Sequence, residues 1–314
     1  MGVGPNKSLR SACYGNLLSM SQLMVLAGMH PGDSWFVDST VSTGRDGSSW
    51  GNACKTLAAV YAKAAAGDTI YMKGSFNEAV NCTKEGLSFV GVGNRNRQCL
   101  WTAPTGAAAY CLTAGAAYIN VQGIYFKAPA YSVSGVPAAL KLSGANYLTV
   151  NGCKFQGQIA SYNAIYSAVC DSDNVTIEDC EFNYFNTATN GCAILGVEAG
   201  GLSYSGWKLE RCKFGSNLKH LNVNMRNSWI HDCTFPVGGI DPAGAMQAAL
   251  TDLCIDLSGT SSGGNHVGPG NSFGGAYTSS LYVGGAAADN WAGNYGAITA
   301  TYCPNGITVP AKPA

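Results

Sequence analysis

Ile177-Glu-Asp-Cys-Glu-Phe182 decides the fold, because it is one of five copies of a single pattern. The others are Val121-Gln-Gly-Ile-Tyr-Phe126, Val150-Asn-Gly-Cys-Lys-Phe155, Leu209-Glu-Arg-Cys-Lys-Phe214 and Ile230-His-Asp-Cys-Thr-Phe235. Apolar residues or cysteine hold the first, fourth and sixth positions. Two places earlier stands another residue of the same strand: Ile119, Leu148, Val175, Trp207 and Ser228. Alternate residues of a strand face one side, so Ile119 and Val121 point inward, and so do Ile124 and Phe126. The two residues between them break the period of two. The chain therefore bends there and a second strand begins.

Successive phenylalanines of the pattern lie 29, 27, 32 and 21 residues apart, about one coil of a parallel β-helix. Stacked coils set equivalent residues roughly 4.8 Å apart. This predicts an inner ladder of Phe126, Phe155, Phe182, Phe214 and Phe235, with Ile124, Cys153, Cys180, Cys212 and Cys233 beside it. A rung spacing of that size does not exclude disulfides. The thiols occupy the place of Ile124, however, so packing as small apolar groups is the better reading. Apolar stretches at 139–142, 165–169, 193–197, 221–223 and 253–257 supply a third sheet. Beyond residue 260 the pattern weakens into narrower coils at Asn271-Ser-Phe273, Leu281-Tyr-Val283 and Trp291 to Tyr295.

The fold expected is all-β: a right-handed, single-stranded parallel β-helix with a short N-terminal capping helix. A solenoid has open sheet ends that need covers. Residues 53–66 supply one, with Leu57, Val60, Tyr61 and Ala64 on one helical face and Asn52 placed as N-cap. The division expected is an attachment arm at 1–34, a lead-in strand and capping helix at 35–75, the β-helix at 76–300 and a tail at 301–314.

Composition narrows the function. Charged residues are 11% of 314, and Lys plus Arg balance Asp plus Glu at 18 each. Such a chain lacks the basic stripe that nucleic acid requires. No run of 18 apolar residues is present, so no membrane span is expected. Lys7 and Arg10 precede a mildly apolar run from Leu17 to Met29, but Asn16, Ser19, Ser21 and Gln22 interrupt it and no cleavage pattern follows. We read this segment as an arm that packs on the body or on a partner. The 13 cysteines contain no C-x-x-C spacing, which points to buried free thiols and synthesis in a reducing compartment.

Trp35-Phe-Val-Asp-Ser39, Gly44-Arg-Asp-Gly-Ser-Ser-Trp50 and Gly67-Asp-Thr-Ile-Tyr71 together resemble the N-terminal part of the pectate-lyase-like β-helix superfamily. The recurring Asn/Asp-x-Cys-x-Phe rung is similar to rungs of that superfamily. The resemblance covers residues 35–300 and specifies fold better than chemistry, since the group holds polysaccharide lyases, hydrolases, epimerases and bacteriophage spike and fibre proteins. The arm, the free thiols and the low charge look most like the phage group. So do Asp289-Asn-Trp-Ala-Gly-Asn294 and Gly306-Ile-Thr-Val-Pro310.

Enzymes of this superfamily place carboxylates on the outer face of one sheet, or bind calcium through Asp beside a Lys or Arg base. Outward positions of the second strand read Tyr125, Lys154, Glu181, Lys213 and Thr234. The second corner position reads Gly123, Gly152, Asp179, Arg211 and Asp232. Both alternate in charge, which keeps coils in register. The first corner position reads Gln122, Asn151, Glu178, Glu210 and His231. There Glu178 and Glu210 fall near the ~5 Å separation of a retaining glycosidase pair, with His231 on the next rung. The plainer reading is two solvated corner glutamates, with His231 pairing Glu210. Asp171 and Asp173 form a candidate calcium loop, and Asx-turn bonding uses the same residues. His220 and His266 have no partner pattern, and the facing of Asp252 and Asp256 is open. Tyr110, Tyr131, Tyr162, Tyr166, Tyr184, Tyr204 and Tyr277 are taken as outward aromatics, for stacking on sugar or on neighbouring subunits.

The function expected is a structural virion protein of a bacteriophage, made in the host cytoplasm. It would be a homotrimer, attached to other virion proteins through residues 1–34, with cell-surface polysaccharide as a ligand and no cofactor. A polysaccharide lyase or glycosidase using Glu178, Glu210 and His231 is the alternative, and a secreted adhesin the second.

Overall fold

The computed structural model describes residues 32–297, apart from loop segments at 94–98, 105–109, 129–135, 158–162, 168–170, 186–190, 197–202, 237–238, 241–245, 248–252, 275–279 and 285–288. The chain winds as a right-handed parallel β-helix with three strands per coil. The first sheet stacks Ser34–Asp38, Thr69–Phe76, Ser88–Gly91, Asn120–Gln122, Thr149–Asn151, Thr176–Glu178, Lys208–Glu210, Trp229–His231, His266–Val267 and Asn290–Trp291. The second begins in the latter half of Thr69–Phe76 and runs through Cys99–Thr102, Tyr125–Lys127, Lys154–Gln156, Glu181–Asn183, Lys213–Gly215, Thr234–Pro236, Ser272–Gly274 and Tyr295–Ala297. The third runs from Val80–Cys82 to Ser280–Val283. Ser34–Asp38 already pairs with Thr69–Phe76, so the lead-in segment is itself a rung of the stack.

The corner between the first two sheets explains the residue types found there. Its second residue has a left-handed backbone on five successive coils: Gly123, Gly152, Asp179, Arg211 and Asp232, with φ between 52° and 65°. Glycine adopts this conformation freely and Asp tolerates it, whereas Arg211 is strained there. Each corner amide still donates along the stack, as from Gly152 to the Glu178 carbonyl and from Asp179 to the Glu210 carbonyl. The backbone hydrogen bonds therefore continue through the bend instead of stopping at it.

Inside, the phenylalanine ladder is continuous. Neighbouring rings from Phe126 to Phe155, Phe182, Phe214, Phe235 and Phe273 stack with centroids 4.8–5.1 Å apart. Trp101 precedes the run and Trp291 closes it. Cys153, Cys180, Cys212 and Cys233 form the neighbouring ladder. All ten described cysteines are free and buried. Burial pushes the Cys180 thiol well above its usual range. The same position carries Asn271 and Asn294 in the last coils. Cys212 Sγ lies 3.5 Å from the Ile177 carbonyl and Cys233 Sγ 3.7 Å from that of Leu209. The Asn amides donate to the equivalent carbonyls of Ile230 and Val267 at 2.8 and 2.9 Å. Thiol and amide thus meet the same neighbour, and the pattern weakens after residue 260 because Asn replaces Cys.

The capping helix is shorter than the periodicity suggests, spanning Leu57–Lys63. Thr56 is its N-cap, accepting from the Ala59 amide at 3.2 Å, while Asn52 ends a separate 3-10 turn. Sequence pattern could not show that the first coil finishes both ends. The Glu78 carboxylate accepts from the Leu57 and Ala58 amides at 3.0 Å each. Lys84 donates to the Tyr61 and Ala64 carbonyls. An anion at the N-terminus and a cation at the C-terminus both suit the helix dipole.

The outward placement of Tyr204 and Tyr184 is corrected. Tyr204 is fully buried, its hydroxyl donating to the Ser167 carbonyl at 3.1 Å, and Tyr184 is buried as well. Tyr110 and Tyr166 are partly covered, and Tyr131, Tyr162 and Tyr277 lie outside the described residues. Tyr118, Tyr147 and Tyr295 are the tyrosines left exposed among the large hydrophobic residues described.

Two outcomes test this architecture. Phe182→Ala removes a ring stacked on both sides and should cost about 3–5 kcal/mol in urea unfolding; a cost under 1 kcal/mol would show that the ladder is not continuous. His220 is buried between Phe214 and Phe235, and burial lowers its pKa to about 3. The folded protein holds it neutral while the unfolded chain takes up a proton below pH 6.5. Stability is therefore complete above that pH and falls as pH drops toward 3, by up to about 1.4 kcal/mol per unit. Melting temperature against pH should show a shallower acid slope in His220→Leu than in the native chain.

Candidate functional site

The outer face of the first sheet collects the charged residues picked out by the corner pattern. Ile177, Leu209 and Ile230 are buried in the middle of their strands and Val267 is buried at the same register, so the residues beside them turn outward. One outward row places Glu178 beside Glu210 and Glu210 beside His231. The other places Thr176, Lys208, Trp229 and His266 on successive rungs.

Arg211 organises this face. Its Nε and Nη2 donate to the two Asp179 oxygens at 2.8 and 2.9 Å, a fork on a carboxylate. The same guanidinium contacts Glu210 and reaches Glu178 Oε2 at 3.5 Å. It holds the Asp179 carboxyl below the usual range by that hydrogen bonding. Lys208 pairs with the other oxygen of Glu210, and Asn151 Nδ2 donates to Glu178 Oε1 at 2.7 Å. The two glutamates are thus brought together as their spacing implies, but a guanidinium bridges them and offsets their repulsion. A retaining pair needs a sugar ring between its carboxylates, and here Arg211 lies between them.

His231 meets Glu210 as expected, but loosely, and Asp232 is its closer partner. Its Nδ1 lies 2.9 Å from Asp232 Oδ2, and its Nε2 stays 3.9 Å from Glu210 Oε2. That Nε2 is buried and has no hydrogen-bond partner. The side chains of Glu210 and His231 are 14% and 13% exposed, so both are largely covered, while the Arg211 guanidinium that contacts Glu210 stays at the surface with 45% exposed. Asp232 thus pairs with His231, and its charge also acts on Arg211 of the neighbouring coil. On the second sheet, Lys154 and Glu181 do pair at 3.3 Å.

Asp171 and Asp173 serve a turn. Asp173 Oδ1 accepts from the Ser205 amide at 2.7 Å on the next coil, and Asp171 accepts from the Ser172 hydroxyl. Among the described residues no group of three or more His, Cys, Asp or Glu is placed to hold a metal. Asp256 accepts from the Ser258 amide, and Asp252 lies outside the described residues.

Sequence reasoning missed Trp229 and His266. Trp229 is 50% exposed, with its ring centroid 5.2 Å from that of His266, and His266 Nδ1 lies 3.3 Å from Asn290 Nδ2. The signal was present: Trp229 precedes inward Ile230, and alternation alone turns it outward. The repeat drew attention to the corner and away from that row.

Arg211→Gly keeps the left-handed corner and removes the cation. The melting temperature should stay within about 4 °C of the native value, as relief of strain offsets lost surface pairs. A much larger fall would make Arg211 a keystone of the stack.

Similarity to solved structures reaches across most of the chain. A rhamnogalacturonan lyase superposes with a TM-score of 0.58 at 13% identity, over 77% of this chain and 68% of its own. A pectin methylesterase from Aspergillus niger gives 0.56 at 13% identity, over 85% and 86%. A pectate lyase gives 0.56 at 10% identity, over 80% and 65%. No protein-family model matches the chain, and no curated protein matches it. Identities this low carry the fold and leave the chemistry to those proteins. What the chain shares with them is its architecture, a right-handed parallel β-helix.

Proposed function

We propose that this chain is a structural β-helix that recognises polysaccharide on the outer face of its first sheet without cleaving it. One observation carries the reading. The carboxylates of the face are engaged by Arg211, Lys208 or Asn151, while the Trp229 indole stands half exposed among them. An indole offers an apolar face for the C–H side of a sugar ring, and the engaged polar groups form a fixed hydrogen-bonding surface around it.

The setting we propose is a bacteriophage particle, with a homotrimer attached through residues 1–34. The N-terminal arm, the free thiols, the low charge and the segments 289–294 and 306–310, which look most like the phage group, support this. Deleting residues 1–31, which lie outside the described residues, should abolish attachment to particles while the circular dichroism of the β-helix persists.

A second reading, a lyase or glycosidase, is favoured by His231. Asp232 orients its Nδ1 and leaves Nε2 unpartnered beside Glu210, an arrangement suited to proton transfer. One assay separates the two. Purified protein is tested against capsular, pectic and neutral polysaccharides for retardation in affinity gels and for new reducing ends or unsaturated products. Retardation without products is expected, weakened at least tenfold in Trp229→Ala. Products that disappear in Glu210→Gln and His231→Ala would replace the first reading with the second.

A further inference from the structure

A second aromatic site lies along the same sheet from Trp229. Tyr118 and Tyr147 are 54% and 50% exposed, and their rings stack in parallel, 6° apart in plane with centroids separated by 4.9 Å. Both have left-handed backbones, with φ of 58° and 57°. They belong to a ladder of left-handed residues that lead into the strands of the first sheet. The neighbouring coils fill that place with Gly86, Asn174, Gly206, Asn227 and Gly264, the types that accept it at little cost. A tyrosine gains nothing from such a backbone, and an exposed ring gains little from burial. Strained residues on a surface that the fold does not need point to use by a ligand.

Their position says which ligand. Tyr118 and Tyr147 stand two residues before the strands whose outward residues are Asn120 and Gln122, and Thr149 and Asn151. From Tyr147 the register climbs three rungs to Trp229, and from Tyr118 four. At roughly 4.8 Å per rung this is ~14–19 Å, a length that several pyranose rings span. The outward residues at the tyrosine end are amides and hydroxyls, and the charges begin at Glu178.

We propose that Tyr118 and Tyr147 form a second aromatic subsite for a neutral polysaccharide lying along the solenoid axis, with Trp229 at the other end. This rests on the glycan-recognition reading. Amide and hydroxyl side chains at the tyrosine end bind sugar hydroxyls, and the cations nearer Trp229, Lys208 and Arg211, are already paired with Glu210, Glu178 and Asp179, so the face favours a neutral chain over a uronate. Occupying both anchors makes affinity depend on chain length, because the second contact is intramolecular once the first is made.

The test uses the full chain with dextran, galactomannan and mixed-linkage glucan, polygalacturonate as the anionic control, and an oligosaccharide length series of whichever neutral polymer binds. Tyr118→Asn/Tyr147→Asn supplies the residue that the ladder uses elsewhere, so its melting temperature should equal or exceed the native value. The native chain should gain about tenfold in affinity from short to long oligosaccharides. The double variant should lose that gain and keep its short-oligosaccharide affinity, whereas Trp229→Ala should weaken binding at every length. Length-dependent binding that survives in the double variant overturns the second subsite and leaves the Trp229 reading standing. So does a fall in melting temperature, which would make the tyrosines structural, or a preference for polygalacturonate. Failure of the native chain to bind any polymer overturns both.

Discussion

The two-residue corner between the first and second sheets is the constraint on which the rest depends. A coil must turn there without breaking the axial hydrogen bonds, because buried amides without partners are costly. A left-handed second residue achieves this, and its amide passes its bond to the next coil. Once each corner has this geometry, the residue after it points inward in every coil, and the phenylalanine two places later stacks on its equivalents above and below.

The same corner places the charged groups. Asp179, Arg211 and Asp232 sit on left-handed backbones at its outer edge, directly after the outward row of Glu178, Glu210 and His231. Arg211 therefore reaches carboxylates on its own coil and on the preceding one. A surface fixed in this way can present hydrogen-bonding groups at rung spacing with little movement, which favours recognition of a repeating polymer. Tyr118 and Tyr147 on one side of the charged row and Trp229 on the other stand half exposed and add little to the core.

Much of the fold is legible in the residues because the repeat is local. Val121 to Phe126 and its four relatives each contain the alternation, the break and the second alternation, and register between coils follows from stacking like on like. The third sheet was visible for the same reason: the apolar stretch at 139–142 appears as Ala138–Leu142. The capping helix was visible in type, with its N-cap placed at Asn52 instead of Thr56, but the charged ends at Glu78 and Lys84 were not visible, since those contacts join residues about twenty apart. Tyr204 was misread because it lies in the short strand Tyr204–Ser205, paired in parallel with Met225–Arg226, with its hydroxyl bonded to the Ser167 carbonyl.

By itself the sequence determined which residues face inward and how often the coil returns, because strand alternation and repeat length are carried by neighbours along the chain. It also brought Glu178, Glu210 and His231 to one row. Only the tertiary structure decided how that row is engaged, with Arg211 bridging the glutamates and Asp232 taking the imidazole, and that Tyr118 and Tyr147 stack in solvent beside the sheet. Those facts depend on side chains meeting across coils through rotamers and left-handed corners, and on what the loops leave uncovered. None of that is encoded in a period.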